Sequence, residues 1–265
     1  MDPRLQEAAA IAREAGDLLR SRFGEPQEIE FKGAVHLVTA MDLKSENLIL
    51  ARLQASYPDY GILTEEGQGK TAEPLWVVDP LDGTNNYAHG YPYFCVSIAL
   101  ADRGKLILGA VYDPLRDELF SAERGGGAKM NGSPIRVSQI PSLHEALLAT
   151  GFPYDKRESA ENNLDHFARF ALRTQGIRRG GAAALDLSYV AAGRLDGFWE
   201  LKLAPWDVAA GALIVQEAGG RVTDFSDGDD ILYGRETAAS NRILHSAMLA
   251  TLQEGLISSS PPKRP

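Results

Sequence analysis

Trp76-Val77-Val78-Asp79-Pro80-Leu81-Asp82-Gly83-Thr84 is the stretch around which the rest of the chain organises. The apolar run from Leu75 to Val78 predicts a strand, and two carboxylates follow it three residues apart. Carboxylates at a strand end face the crevice above a sheet, where ligands of α/β proteins bind. Pro80 and Gly83 punctuate a tight turn, which can bring the side chains of Asp79 and Asp82 and the carbonyl of Leu81 around one point.

Toward the N-terminus, Gly61 to Leu63 predicts another strand, and Glu65 and Glu66 follow it. Leu5, Ala8, Ala9, Ile11, Ala12, Ala15, Leu18 and Leu19 recur at helical spacing until Gly24 closes the run. A second helix starts near Asp42 and ends before Tyr57-Pro58-Asp59. Toward the C-terminus, strands are expected over Phe94 to Ala101, Leu106 to Tyr112 and Glu118 to Ala122, with hairpin-like spacing that implies a largely antiparallel sheet. The rhythm then changes. Helices near Ser159 to Leu172, Ala182 to Ala192 and Asp207 to Ala218 alternate with strands near Leu147 to Thr150, Gly197 to Leu201 and Arg221 to Thr223, which argues for helices over a second sheet. The expectation is a layered α/β protein, one unit over 1–257 made of two intimately packed halves, about 1–140 and 141–257. The last residues, 258–265, carry no core-forming pattern and are expected to be disordered.

The chain has 265 residues, and its net charge of -9 disfavours a protein that grips nucleic acid, because that affinity comes from cationic contacts to phosphate. An acidic protein still handles a phosphorylated substrate when cations stand between its carboxylates and the phosphate. Cys95 is the single cysteine, so no intrachain disulfide forms, and its apolar neighbours mark it as a buried thiol. No apolar stretch is long enough to span a membrane, and the N-terminus lacks the charged head and apolar run of a secretory signal. A cytoplasmic protein without membrane contact is expected.

Asp42 and Asp207 stand at expected helix starts, which makes five acidic positions of interest with Glu65, Asp79 and Asp82. Each has an ordinary reading alone: an acidic residue at a helix start caps it, Asp-Pro and Asp-Gly form turns, and Glu65-Glu66 can be a solvated edge. Their conjunction is harder to explain that way. Oxygen-only donors suit a hard divalent cation such as Mg²⁺, whereas His36, His89, His144, His166 and His245 show no ligand spacing that would suit zinc. Asp227-Gly228-Asp229-Asp230 lacks the alternation of a calcium loop and reads as a solvated turn.

Trp76 to Thr84 with Asn85-Asn86-Tyr87 resembles the first signature of the inositol monophosphatase family of lithium-sensitive phosphatases. Pro205-Trp206-Asp207-Val208-Ala209-Ala210-Gly211 resembles its second, Thr64-Glu65-Glu66 its metal-binding Glu motif, and Val38-Thr39-Ala40-Met41-Asp42 the segment with an acidic helper. The resemblance spans nearly the whole chain. It implies an αβαβα five-layer sandwich of the inositol monophosphatase and fructose-1,6-bisphosphatase type, commonly a homodimer, with two or three Mg²⁺ ions per active site. By that resemblance Glu65, Asp79 and the Leu81 carbonyl hold one ion, Asp79, Asp82 and Asp207 a second, and Glu65 with Asp42 through water a third. Thr84, hydrogen-bonded to Asp42, would orient and deprotonate a metal-bound water for in-line attack on phosphorus.

The resemblance also implies that backbone N–H groups of Gly83 and Thr84 cradle phosphate, and that Gly181, Ala182 and Ala183 form a sugar-side loop. Glu200 would hydrogen-bond substrate hydroxyls. Ala182 stands where the family commonly has Thr or Ser, which removes one polar contact, and the segment from Glu66 to Trp76 is short. The function implied is hydrolysis of inositol monophosphate, a small phosphorylated polyol, to inositol and phosphate. Fructose-1,6-bisphosphatase or dual activity is the alternative, with Lys156, Arg157, Arg178 or Arg179 available for a second phosphate. Behind it stand 3′-phosphoadenosine 5′-phosphate and histidinol phosphate as substrates, and a binding or regulatory homologue without catalysis.

Overall fold

Asp2 accepts the backbone N–H of Arg4 at 2.8 Å, and Pro3, which has no N–H to satisfy, opens helix α1 (Pro3–Arg22). The computed structural model describes residues 2–25, 29–31, 37–67, 70 and 72–255; the expected tail at 258–265 lies outside them. β1 (Ile29–Phe31) and β2 (Leu37–Thr39) pair antiparallel, and α2 (Ala40–Ser56) follows directly.

A seven-stranded sheet comes next, with its strands side by side in chain order. These are β3 (Gly61–Thr64), β4 (Leu75–Asp82), β5 (Cys95–Asp102), β6 (Lys105–Asp113), β7 (Glu118–Glu123), β8 (Ala128–Met130) and β9 (Ser133–Pro134), with the one-and-a-half-turn helix α3 (Thr84–Ala88) after β4. Only β3 and β4 run parallel; every other pair is antiparallel, as hairpin spacing requires.

The second sheet is mixed, in the order β11, β10, β12, β14, β13. Its members are β10 (Leu147–Thr150), β11 (Gly176–Arg178), β12 (Gly197–Leu201), β13 (Arg221–Thr223) and β14 (Glu236–Ser240), interleaved with α4 (Leu164–Ala171), α5 (Ala183–Ala191), α6 (Pro205–Glu217) and the closing α7 (His245–Leu252). β14 lies between β12 and β13, yet Glu236-Thr237-Ala238-Ala239-Ser240 shows no alternation of apolar and polar residues. Both of its faces are covered, so no pattern need mark it.

Three apolar clusters define five layers. Leu5, Ile11 and Leu19 of α1 and Ile49 and Leu53 of α2 pack on Trp76, Val78, Ile98 and Leu108 from one face of the first sheet. Val77, Ala99, Val111 and Phe120 on its other face meet α5 and α6, which also cover Phe198 and Ala239 of the second sheet. Beyond that sheet, Leu148, Trp199 and Ala238 pack against Phe170 of α4 and Met248 of α7. The order is αβαβα. Because α6 lies between two sheets, every residue from Val208 to Val215 is buried and the helix has no polar face.

Helix α4 is shorter than its pattern predicts, starting at Leu164 rather than near Ser159. Asn163 before it takes a left-handed conformation (φ 69°) and turns its amide inward, where it donates to Thr150 Oγ1 at 2.8 Å and accepts from Trp199 Nε1 at 2.8 Å. That side chain is committed to the second sheet and cannot continue a helix.

Gly109 of β6 lets α6 approach the first sheet: a Cβ there would stand 2.9 Å from both Cα and O of Ala210. Gly109→Ala is therefore expected to cost about 1–3 kcal/mol in urea denaturation, since backbone rather than a flexible side chain must yield. Arg169 gives a contrasting case. It is buried and donates to the Gly255 carbonyl, but its Nε and Nη1 have no partner among the described residues. Arg169→Met is expected to leave stability within about 1 kcal/mol of the parent or to raise it, measured in the same way.

Candidate active site

Pro80 has no N–H for the ladder between β4 and β5, and the pairing bulges there: Asp79 stands opposite Ser97 and Asp82 opposite Cys95, so two residues face Val96 alone. The apolar run predicts a strand ending at Val78 and then a turn; in the structure β4 continues through the bulge to Asp82. Within it, Asp79 Oδ1 accepts the Leu81 N–H at 3.0 Å and Ser45 of α2 donates to the Pro80 carbonyl at 2.7 Å. Thr84 Oγ1 lies 2.9 Å from Asp42 Oδ1 and 3.1 Å from the Leu81 carbonyl, and its one proton serves one of them at a time. Gly83 makes the exit from the strand possible with φ 96°, which side chains rarely adopt.

Asp42 and Asp207 are third residues of their helices rather than N-caps. Asp42 Oδ2 reaches back to the Thr39 N–H at 2.7 Å and the Thr39 hydroxyl at 2.6 Å, and Asp207 Oδ2 to the Ala204 N–H at 2.7 Å. Both thus satisfy a helix start locally, and the same geometry turns Asp207 to the cavity and Asp42 to Thr84. Asp82 has a long-range partner instead. Its oxygens accept the N–H groups of Ala183 at 3.2 Å and Ala184 at 2.8 Å, the first turn of α5, whose N-cap Ala182 has no side-chain oxygen to offer.

These elements enclose a cavity of about 320 Å³ between the two sheets. Glu65, Asp79, Leu81, Asp82, Gly83 and Thr84 form one wall; Gly181, Ala183, Glu200 and Asp207 come from the other half. Ala182 is buried behind that lining, and Asp42 is buried behind Thr84. Carboxylate oxygens of Asp79, Asp82 and Asp207 lie within 4.8 Å of one another, and Glu65 stands outside that trio at the end of β3. Burial, then the charges of Glu65, Asp82 and Asp207, hold Asp79 well above the usual carboxylate range; burial and Asp207 do the same to Asp82. Burial pushes Asp42 to about 6, opposed by its hydrogen bonds from Thr39 and Thr84, and Glu200 is also raised by burial, opposed by Arg179. An oxygen-only trio whose members repel one another fits a hard divalent cation, which supplies positive charge at that point.

Of the four cations that could serve a second phosphate, only Arg179 lines the cavity. Lys202 and Tyr154 line it too, and no periodicity marks either one. Lys202 lies just past β12 with a left-handed backbone (φ 62°), its Nζ bound to Asp155 at 2.7 Å and to Ser159 at 2.8 Å. Cys95 is buried with its Sγ 3.6 Å from Asp82. Of the histidines, none lines the cavity among the described residues, and His245 is a core residue contacting Thr223 and Ser240 at 2.9 Å.

A layered α/β fold in which two buried acids of a strand end meet a half-buried acid of a helix start defines a phosphatase-type enzyme scaffold. Residues 1–256 match the inositol monophosphatase family, and the chain belongs to it. It is 46% identical to the Nus factor SuhB of Pseudomonas aeruginosa, covering 97% of this chain and 98% of that one. It is 42% identical to an inositol-1-monophosphatase of Mesorhizobium japonicum, covering 92% and 94%. Among solved structures, the extragenic suppressor protein SuhB of Bartonella henselae superposes with a TM-score of 0.89 at 40% identity, covering 96% of this chain and 99% of that one. The inositol monophosphatase of Anabaena gives 0.88 at 40% identity, covering 97% and 98%. No described helix is long and apolar enough to cross a membrane.

The raised acids set the pH dependence of the metal-free protein. Asp42, at about 6 against 3.8, and Asp186, at about 7 against 3.8, bind protons more tightly folded than unfolded. Their contribution is complete below pH 4 and is lost as pH rises through 6 and 7. In the presence of a chelator, Tm is expected to fall between pH 5.5 and pH 8, and a divalent cation is expected to restore it at pH 8; calorimetry at the two pH values checks both.

Proposed function

We propose that this protein is a Mg²⁺-dependent phosphomonoesterase that hydrolyses inositol monophosphate to inositol and phosphate. The observation that carries the reading is the convergence of Asp79, Asp82 and Asp207 within 4.8 Å, in a cavity that also holds Glu65 and Glu200. Glu65, Asp79 and the Leu81 carbonyl would hold one ion, Asp79, Asp82 and Asp207 a second, and Glu65, with Asp42 behind it, a third. When bound, Mg²⁺ supplies Lewis acidity, which eases deprotonation of water and neutralises charge on phosphate oxygens.

The chain's own groups do the rest. Thr84 Oγ1 donates to Asp42 Oδ1 and so keeps a lone pair for the proton of an attacking water, which Asp42, with its pKa near 6, can take over. The N–H groups of Gly83 and Thr84 cradle phosphate oxygens; α3 has only five residues, so these are local hydrogen bonds with little helix dipole behind them. Glu200 accepts hydrogen bonds from polyol hydroxyls, beside Gly181 and Ala183.

A bisphosphate is the second reading, because Arg179 and Lys202 both line the cavity. Relatives named Nus factor SuhB bring a further role to the same fold, which fold alone does not decide. A homodimer in the cytoplasm completes the proposal.

Phosphate release from inositol 1-phosphate, fructose 1,6-bisphosphate, 3′-phosphoadenosine 5′-phosphate and histidinol phosphate, with and without Mg²⁺, tests it. Inositol 1-phosphate is expected to have the highest kcat/KM, only with Mg²⁺, and Li⁺ is expected to inhibit. Asp82→Asn and Asp207→Asn are each expected to lose more than about 100-fold in kcat/KM while keeping the parent circular dichroism. Near-parental turnover by Asp82→Asn would overturn the ligand set.

A further inference from the structure

We infer that Gly151 sets the position of Glu200 and so governs this cavity's preference for a polyol leaving group. The inference rests on the reading of Glu200 given above. Gly151 follows β10, where Thr150 stands beside Trp199 in the parallel pairing with β12, so it flanks the residue after Trp199. A Cβ at Gly151 would lie 2.1 Å from Glu200 Oε1 and 2.3 Å from Oε2, far inside van der Waals contact. The carboxylate fills the volume that any side chain at 151 would need.

Backbone conformation does not explain the glycine. Gly151 is absent from the positive-φ residues, so an L-residue can adopt its backbone angles. Nor can the backbone retreat. The buried Asn163 donates to the Gly151 carbonyl at 2.6 Å and to Thr150 Oγ1 at 2.8 Å, Thr150 Oγ1 donates to the Trp199 carbonyl at 2.6 Å, and the Trp199 indole donates to Asn163 Oδ1 at 2.8 Å. This closed set of bonds ties the ends of β10 and β12 together. A side chain at 151 therefore moves the far end of Glu200, which is flexible, and pushes it toward the acidic trio or out toward solvent. Gly151 is a positioning residue that acts through Glu200, and its absent side chain is what the polyol acceptor occupies.

The test compares inositol 1-phosphate with p-nitrophenyl phosphate, whose leaving group carries no hydroxyls to be read. In Gly151→Ala, the ratio of kcat/KM for inositol 1-phosphate over that for p-nitrophenyl phosphate is expected to fall about 10-fold or more, mainly through KM, as for a lost hydrogen bond to a charged group. In the Glu200→Ala background the same change is expected to add nothing, and in Glu200→Asp, whose acid is one methylene shorter, part of the preference is expected to return. Gly151→Ala/Glu200→Ala lacks the clashing carboxylate and is expected to fold even if Gly151→Ala does not; failure of both to fold overturns the inference. So does an equal loss on both substrates, or a Gly151→Ala effect that persists without Glu200. If Glu200→Ala itself keeps the preference, it is the assignment of Glu200 that falls, and this inference with it.

Discussion

Asp82 ends a strand of the first sheet and accepts two backbone N–H groups from the first turn of α5, in the layer between the sheets. That pair of bonds stabilises a buried carboxylate with the unsatisfied donors of a helix that has no side-chain cap of its own. It also fixes the distance between the two halves of the molecule at the point where the chemistry is placed. Asp79 reaches the same point from inside the bulge and Asp207 from the start of α6, so the geometry of the trio is set by the packing of three elements on one another. Two buried acids beside a third that is half-buried are electrostatically costly, and the protein offsets only part of that cost with N–H groups.

The cavity's cations act on other groups. Arg179 opposes the raised pKa of Glu200, and the ion-paired Lys202 stands on the same wall, both from the half of the chain opposite the Asp79–Asp82 bulge. The first half contributes Glu65, Asp79 and Asp82 to the cavity, and the second contributes Asp207, Glu200, Arg179 and Lys202. Close packing makes this division rigid. Gly109 seats α6 against the first sheet and Gly211 seats it against Leu187 of α5, so the helix that carries Asp207 is located by contacts on both sides. The clamp of Asn163, Thr150 and Trp199 does the same for the strand that carries Glu200.

Two sheets and their accompanying helices were legible in the residues; the αβαβα order came from the family resemblance. The alternation of helix and strand patterns after residue 141, and the hairpin spacing before it, correspond to a mixed sheet and a largely antiparallel one. Two departures from the residue patterns, an unmarked strand and a shortened helix, arise where surroundings override local preference. β14 is covered on both faces, and α4 loses its first turn because Asn163 is committed elsewhere. The trio was legible because its members sit at strand and helix ends, where an acidic residue has a local structural reason to be. The local reading of Asp42 and Asp207 as helix-start acids holds in the structure, and it serves the site: reaching back to the N-terminal N–H aims each side chain.

By itself, then, the sequence determined the donor chemistry and the succession of helix and strand patterns, since both follow from residue type and short-range spacing. Oxygen-only donors and the exit permitted by Gly83 are properties of a few consecutive residues, whereas the continuation of β4 through a bulge at Pro80 appears only in its pairing with β5. The tertiary structure alone decided that Arg179 rather than Lys156, Arg157 or Arg178 faces the cavity, that Lys202 joins it, and that Gly151 leaves room for Glu200. Those outcomes depend on which segments meet across a sheet and at what distance. Contacts between residues some 50 positions apart leave no periodic mark on the chain; they are set by the pairing of β10 with β12 and the packing of α5 and α6 between the sheets.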